Sequence, residues 1–202
     1  NLKWLDAFLN GSSQRLDMIL NLSASPFYMG KIHQRKDALA RCAQHFKCPV
    51  AYCNQVGGQD ELVFTGRSMV LNAAGKVIAE AAEFQEDMLI VDFEKTKDNI
   101  VLTPPFSTCV EKSYDPVEEV YQALVLGTRD YVQKSGFSRV LVGLSGGIDS
   151  ALTAAIAVAA LGAENVVGIT MPSRFNSTET QDDAAKLAGN LRITFHSLPI
   201  GN

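Results

Sequence analysis

An apolar run that ends in a Ser-Gly-Gly turn and continues into an Ala-rich segment constrains the fold of this chain more than any other feature. The run, Val140–Leu144, contains β-branched residues and is typical of a buried parallel strand. After the turn, Asp149 and Ser150 open a segment, Ala151–Leu161, that is predicted to be helical. A strand, a glycine turn and a helix N-terminus direct backbone N–H groups and the positive end of the helix dipole at one spot. The sequence therefore predicts an anion-binding loop here.

The loop differs from a Walker P-loop in one position. Ile148 stands after the last glycine, where the P-loop has a lysine that contacts the β- and γ-phosphates. A loop without that lysine suits a pyrophosphate that leaves as one unit. Asp149 lies at the mouth of the loop and is predicted to hold Mg²⁺, because Mg²⁺ prefers one or two carboxylates together with phosphate oxygens.

The order Ser-Gly-Gly-x-Asp-Ser after a strand resembles the pyrophosphate loop of the N-type ATP pyrophosphatases. These enzymes attack the α-phosphate of ATP, form an acyl-adenylate and release pyrophosphate. A glycine turn that only packs a helix against a sheet is the simpler alternative, and the strand–helix context favours the ATP site. The resemblance implies ATP and Mg²⁺ as ligands and assigns ATP binding to Gly143, Leu144, Ser145, Gly146, Gly147, Ile148, Asp149 and Ser150.

The second part of the chain alternates helices and strands. A helix starts at Asp115-Pro116, with Asp115 as the N-cap, and ends at Ser135-Gly136. Strands at 139–144, 165–171 and 192–198 alternate with helices at 149–162 and 177–189, which predicts a doubly wound parallel sheet. Ligands of such sheets bind at the carboxyl ends of the strands. Met171 ends the strand at 165–171, and Arg174 follows it. In enzymes that the loop resembles, the end of this strand meets the adenine and ribose of ATP, so the resemblance implies Met171 and Arg174 as candidate contacts to ATP or substrate; a solvated loop arginine is the alternative for Arg174.

The first part of the chain predicts a β-α-β unit followed by hairpins. A strand at 17–22, a helix ending near Lys47 and a strand at 49–55 come first. Val56–Glu61 is predicted to be a turn, and short strands follow at 62–64, 67–72, 77–82 and 88–93.

This part resembles the C-terminal half of a nitrilase-like α/β sandwich of the glutamine-hydrolysing type. The resemblance rests on several short motifs at the family's spacing: Asn21–Phe27, Gly30-Lys31, Arg35, Tyr52, Asn54–Phe64, Gly66 and Ser68. It implies that Ser25 and Lys31 line a glutamine pocket, and a hydroxyl with a cation suits the polar end of an amino acid. The alternative is that Ser25 caps the next segment and Lys31 is a solvated residue at a helix start.

The nitrilase nucleophile is a cysteine followed by glutamate, and none of the four cysteines here fits that pattern. Cys42, Cys48, Cys53 and Cys109 precede Ala, Pro, Asn and Val, respectively. No residue of this chain is therefore assigned a catalytic role, and the Cys, Glu and Lys of the family are expected before Asn1. We accordingly interpret the chain as an internal piece of a longer protein, with free thiols.

The change of pattern predicts three regions: residues 1–97 as part of a nitrilase-type glutaminase domain, 98–113 as a linker, and 114–202 as the start of a synthetase domain. A net charge of −4 does not favour nucleic acid as a partner. No apolar run reaches transmembrane length, and no signal peptide is visible, so no membrane partner and a cytoplasmic location are expected. The three histidines are scattered and predict no metal site.

Together, the two halves resemble the glutamine-dependent NAD⁺ synthetase family. The resemblance implies ATP-dependent amidation of deamido-NAD, with ammonia from L-glutamine and with adenylate formation and pyrophosphate release; a homo-oligomer is also expected. One alternative is another glutamine-fed ATP pyrophosphatase, of the GMP or asparagine synthetase type, which Tyr52–Phe64 disfavours. A non-catalytic scaffold is another, which Asp149 disfavours. The residues that bind deamido-NAD are expected beyond Asn202.

Overall fold

The computed structural model describes residues 16–96, 100–103, 115–173 and 178–200. The chain divides into two compact units. The first consists of Asn1–Gly57 and Phe64–Val117, and the second of Gly58–Val63 and Glu118–Asn202. Among the described residues, no helix combines the length and the apolar character that crossing a membrane requires.

A four-stranded sheet with one long helix forms the centre of the first unit. The sheet order is β1-β2-β5-β6, in which β1 and β2 run parallel and the other neighbours antiparallel. In chain order the elements are β1 (Ile19–Ser23), α1 (Lys31–Phe46), β2 (Val50–Asn54), β3 (Val56–Gln59), β4 (Leu62–Thr65), β5 (Met69–Leu71), β6 (Val77–Glu80), β7 (Asp92–Lys95) and β8 (Ile100–Thr103).

The core of the first unit lies between α1 and this sheet. Ile32, Leu39 and Ala43 recur at helical spacing on the buried face of α1 and pack with Val50 and Met69. The helix and the two parallel strands thus lie where the apolar periodicity of the sequence predicts them.

Two segments before residue 104 differ from the sequence prediction. Val56–Gln59 is strand β3 and not a turn; it forms a hairpin with β4, and only Asp60 and Glu61 turn the chain. Ile100–Thr103 forms β8, which pairs antiparallel with β7 inside the stretch that the sequence predicts as a linker. The strand predicted at 88–93 is β7, which begins later and covers Asp92–Lys95, and residues 86–91 form no strand. The rest of the predicted linker, residues 98–99 and 104–113, lies outside the described residues. The domain boundaries stay a prediction.

A parallel three-stranded sheet forms the centre of the second unit. Its order is β11-β10-β9, with both neighbouring pairs parallel, which confirms the predicted α/β class. The elements are α2 (Pro116–Lys134), β9 (Val140–Gly143), α3 (Ile148–Leu161), β10 (Val166–Thr170), α4 (Thr178–Leu191) and β11 (Thr194–Ser197), with a short 3₁₀ helix at Ala163–Asn165.

Small side chains bring the helices of the second unit close to its sheet. Ala154 on α3 and Ala184 on α4 are fully buried and share a core with Val166 and Leu144. The predicted ends of α2 are confirmed. The Val117 N–H donates to Asp115 Oδ1 at 2.7 Å, and Gly136 adopts a left-handed φ of 81° just after the helix.

Candidate functional site

The predicted anion loop connects β9 to α3. Leu144 extends the sheet by donating its N–H to the Ile169 carbonyl at 2.7 Å. Gly146 then has a φ of 83°, a left-handed conformation that favours glycine, and Gly147 is the extended N-cap residue of α3. The helix begins at Ile148, one residue before the predicted start. The two glycines therefore allow the sharp change of direction from strand to helix.

Two serines hold this loop together from within. Ser150 Oγ donates to the Gly147 carbonyl at 3.0 Å and accepts the Ser145 N–H at 3.2 Å. Ser145 Oγ accepts the Gly147 N–H at 3.3 Å and lies 3.2 Å from Ser150 Oγ. Both hydroxyls thus lie next to the first turn of α3, whose N–H groups have no intrahelical acceptors.

The outer side of the loop is open. A Cβ atom added at Gly143 would meet no atom within 4 Å, and the Asp149 carboxylate is exposed on the first turn of α3. Within the described ranges, no group of three or more His, Cys, Asp or Glu residues could hold a metal ion. A divalent cation at Asp149 would therefore complete its coordination with phosphate oxygens, which matches the preference of Mg²⁺. The donor set present fits that ion and an anionic ligand.

The end of β10 lies beside this loop. Ile169 is the parallel partner of Gly143, so Met171, two residues later, follows at the same edge of the sheet. Met171 is 53% exposed. The Ile200 N–H donates to the Pro172 carbonyl at 3.0 Å, which fixes the chain directly after Met171. Arg174, the other predicted contact, lies outside the described residues.

Ser25 and Lys31, the residues predicted to line a glutamine pocket, lie at one corner of the first unit. Lys31 is the first residue of α1, and its Nζ donates to the Pro26 carbonyl and lies 5.0 Å from the centre of the Tyr28 ring. Burial lowers the pKa of Lys31, and the nearby Arg35 guanidinium lowers it further. Lys31 is thus partly desolvated and next to a second cation, which favours an anionic group at this corner.

Asn54 and Arg35 also lie at this corner, and their sequence pattern predicts no role in ligand binding for either. The Asn54 amide accepts the Ser25 N–H at 2.9 Å. Arg35 is buried, with its guanidinium 5.4 Å from the Tyr52 ring centre and 3.5 Å from the Gly66 carbonyl. Its Nε has no hydrogen-bond partner. The position of Arg35 on the apolar face of α1, one turn after Ile32 and one before Leu39, is the only sequence signal for its burial.

The three cysteines in the described part of the chain are free. Burial raises the pKa of the Cys42 thiol, which opposes the thiolate form that a nucleophile needs. Cys48 is buried, and Cys53 is exposed on β2. Cys109 lies outside the described residues, and the absence of a catalytic cysteine from this chain stays a prediction.

Comparison with protein families assigns the two halves separately. Residues 9–97 match the carbon-nitrogen hydrolase family, and residues 120–202 match the NAD synthase family. The chain therefore joins a part that is similar to carbon-nitrogen hydrolases to a part that is similar to NAD synthases.

Individual relatives combine the same two halves. The chain is 44% identical over 193 residues to the glutamine-dependent NAD(+) synthetase of Synechocystis, and 44% identical over 210 residues to that of Thermotoga maritima. These alignments cover 93% and 91% of this chain. Over most of its length the chain is thus similar to glutamine-dependent NAD⁺ synthetases. It spans about a third of the length of these relatives, 33% and 36%, respectively.

Two solved structures share the fold of this chain. The glutamine-dependent NAD⁺ synthetase of Acinetobacter baumannii, in complex with ADP, is 40% identical and matches 99% of this chain with a TM-score of 0.85, over 36% of its own length. A glutamine-dependent NAD(+) synthetase from Cytophaga hutchinsonii, at 21% identity and a TM-score of 0.72, matches 92% of this chain and 36% of its own length, and shows the same fold.

Proposed function

We propose that the protein containing this chain converts deamido-NAD to NAD⁺, using ATP and ammonia taken from L-glutamine. The observation that carries the proposal is the loop between β9 and α3, where Ser145, Gly146, Gly147 and Ser150 form an open corner at a helix N-terminus, a geometry that suits an anion. The matches of the two halves to the NAD synthase and carbon-nitrogen hydrolase families support it. The bound ADP of the Acinetobacter baumannii relative supports an adenine nucleotide as a ligand.

The first step joins substrate and ATP. The nicotinate carboxylate of deamido-NAD attacks the α-phosphorus of ATP, the bond to the β-phosphate oxygen breaks, and pyrophosphate leaves. The eight residues Gly143–Ser150 form the ATP site in this proposal, with N–H groups and serine hydroxyls directed at phosphate oxygens. Asp149 holds Mg²⁺, which when bound neutralises phosphate charge. Met171 and Arg174 are proposed to contact ATP or the second substrate from the neighbouring strand.

The second step consumes ammonia. Ammonia attacks the activated carbonyl carbon, AMP leaves, and the amide of NAD⁺ is formed with loss of a proton. Ammonia is nucleophilic enough to need no general base, so the chain's contribution is positioning and charge neutralisation. The ammonia comes from the amide of glutamine, which Ser25 and Lys31 are proposed to bind in the first unit. Lys31 is suited to this role because it lies beside a second cation and is only partly hydrated.

Another glutamine-fed ATP pyrophosphatase is the alternative function. The match of residues 9–97 to carbon-nitrogen hydrolases and of residues 120–202 to NAD synthases favours NAD⁺ formation over it.

Isotope labelling tests the proposal. The full-length protein is supplied with ATP, Mg²⁺, deamido-NAD and glutamine labelled with ¹⁵N in its side-chain amide, and the products are analysed by mass spectrometry. We expect NAD⁺ with ¹⁵N in its carboxamide, together with AMP, pyrophosphate and glutamate. Hydrolysis of ATP to ADP and phosphate, or the absence of labelled NAD⁺, contradicts the proposal.

A further inference from the structure

Asn54 uses its side chain to connect two separate segments of the first unit. The residue ends β2 and is 6% exposed. Its Oδ1 accepts the Ser25 N–H at 2.9 Å, and its Nδ2 donates to the Gly66 carbonyl at 3.0 Å. Each polar atom of the amide thus binds a different part of the chain.

Only a side-chain amide matches both partners. The Ser25 N–H needs an acceptor and the Gly66 carbonyl needs a donor, and a carboxylate or an aliphatic group of similar size cannot supply both. A buried backbone group that loses its partner keeps its desolvation penalty, so the site strongly selects asparagine.

The Gly66 side of this connection is a rigid support. Gly66 and Arg67 both have left-handed φ angles, of 67° and 54°. Arg67 is buried and forms ion pairs with Glu80 and, at 3.1 Å, with Glu83. Ser68 Oγ accepts the Asn54 N–H at 3.0 Å. Asn54 is therefore held at both its backbone and its side chain by a segment whose conformation is fixed by buried charges.

The contact between Asn54 and Ser25 is connected to Lys31 through Pro26. Gln55 donates its N–H to the Ser23 carbonyl at 2.9 Å, so the chain just before Ser25 is also held to the end of β2. Pro26 follows Ser25, and its carbonyl accepts the Lys31 ammonium. A displacement of Ser25 thus changes the position of the carbonyl that orients Lys31.

We infer that Asn54 is a positioning residue for glutamine binding, which sets the Ser25 turn and, through Pro26, the direction of the Lys31 ammonium. This inference rests on the proposed function, since it takes Ser25 and Lys31 as the glutamine-binding residues. Asn54 acts through them and does not contact the substrate.

Steady-state kinetics of the full-length protein test the inference. Asn54→Ala is expected to raise the KM for glutamine about tenfold, as the loss of a buried hydrogen bond does. NAD⁺ formation from free ammonia is expected to stay within twofold of the wild type. Asn54→Asp keeps the acceptor for the Ser25 N–H, so its KM is expected to rise less, by about threefold. Gln44→Ala is the matched control, because it removes an exposed amide that donates to the Ala74 carbonyl on the same unit; its KM is expected to be unchanged.

An unchanged KM in Asn54→Ala, or an equal loss of the glutamine- and ammonia-supported activities, overturns the inference. If Asn54→Ala does not fold, the KM for glutamine and the ammonia-supported activity of Asn54→Asp test the inference in its place. Hydrogen exchange of the Ser25 amide gives a readout that needs no activity: it is expected to be slow in the wild type and at least tenfold faster in the alanine variant, which has lost the acceptor. Slow exchange in both overturns the inference. A wild type that exchanges slowly at Ser25 but forms no NAD⁺ from glutamine contradicts the proposed function, and with it the substrate named here.

Discussion

The backbone N–H of Gly58 donates to Oδ2 of Asp130 at 2.8 Å, and the carbonyl of the same glycine accepts the Lys134 ammonium. Both polar backbone groups of Gly58 are therefore bound by side chains of α2. The two glycines at this contact, Gly58 and Gly127, lie close together: a Cβ at Gly58 would lie 3.2 Å from the Gly127 Cα, so the backbone would have to move slightly to admit it. The tip of the β3–β4 hairpin thus packs against α2 as a fixed part of the second unit.

Gly58→Ala is expected to destabilise the protein by about 1–3 kcal/mol. Its Cβ would lie 3.1 Å from the Asp130 Cβ and 3.2 Å from a backbone atom of α2, so relief requires the hairpin to move. Chemical denaturation measures the loss. Gly189→Ala, in α4 where an added Cβ meets no atom within 4 Å, is the control and is expected to be neutral or stabilising by up to about 1 kcal/mol. Equal effects of the two substitutions would contradict the close packing.

Asp130→Asn is expected to reduce the pH dependence of stability. Burial by itself raises the pKa of Asp130, but the Gly58 N–H, Lys134 and Arg129 together hold it below its ordinary value. A lowered pKa contributes stability that is fully present above the unfolded pKa of about 3.9 and is lost as the pH falls through the folded pKa. The difference in unfolding free energy between wild type and variant should therefore be constant near neutral pH and shrink below about pH 4. A difference independent of pH down to 2 would be inconsistent with this assignment.

Arg67→Met is expected to destabilise the first unit by about 3 kcal/mol, because it removes the cation that two buried carboxylates share, although Glu80 keeps its ion pair with Lys36 at 3.0 Å. The side chains of Arg67 and Glu80 are each 9% exposed, and that of Glu83 is 5% exposed. Lys95→Met is the control, since it breaks an exposed pair with Asp17 and is expected to cost at most about 1 kcal/mol. Thermal denaturation of the two variants compares them directly; a loss below 1 kcal/mol for Arg67→Met would show that the cluster contributes little.

Ser150→Ala is expected to raise the KM for ATP about tenfold, because the hydroxyl bonds that close the loop are lost. Thr153→Ala is the matched control one turn further along α3. Its hydroxyl donates to the Asp149 carbonyl at 2.8 Å and is not part of the loop, so its KM for ATP should stay within twofold. Glutamine hydrolysis in both variants should match the wild type. An ATP KM that changes equally in the two variants would count against a special role for Ser150.

Local signals in the sequence were sufficient for the elements around the loop. Asp115 and Gly136 mark the ends of α2 because capping depends on residues next to the helix ends. Ser145–Ser150 contains its own hydrogen-bond partners, so the turn is also determined locally.

Contacts between distant residues account for what the sequence did not predict. Gly57 and Gly58 suggest a turn in the sequence. In the structure Gly58 instead packs closely against α2, and its hydrogen-bond partner Asp130 lies 72 residues further along the chain. The roles of Asn54 and Arg67 likewise depend on segments that meet only in the folded unit. Periodicity and turn propensity carry no information about such pairs.

Pyrophosphate release by Asp149→Asn tests the central claim most directly. The substitution keeps the size of the side chain and removes the charge proposed to hold Mg²⁺. In the full-length protein with ATP, Mg²⁺ and deamido-NAD, release is expected to fall at least about 100-fold, while glutamine hydrolysis stays measurable. Glu164→Gln, an exchange of an acid in the 3₁₀ helix of the same unit, is expected to release pyrophosphate at the wild-type rate. Wild-type release by Asp149→Asn would contradict the assignment of this loop as the site of ATP cleavage.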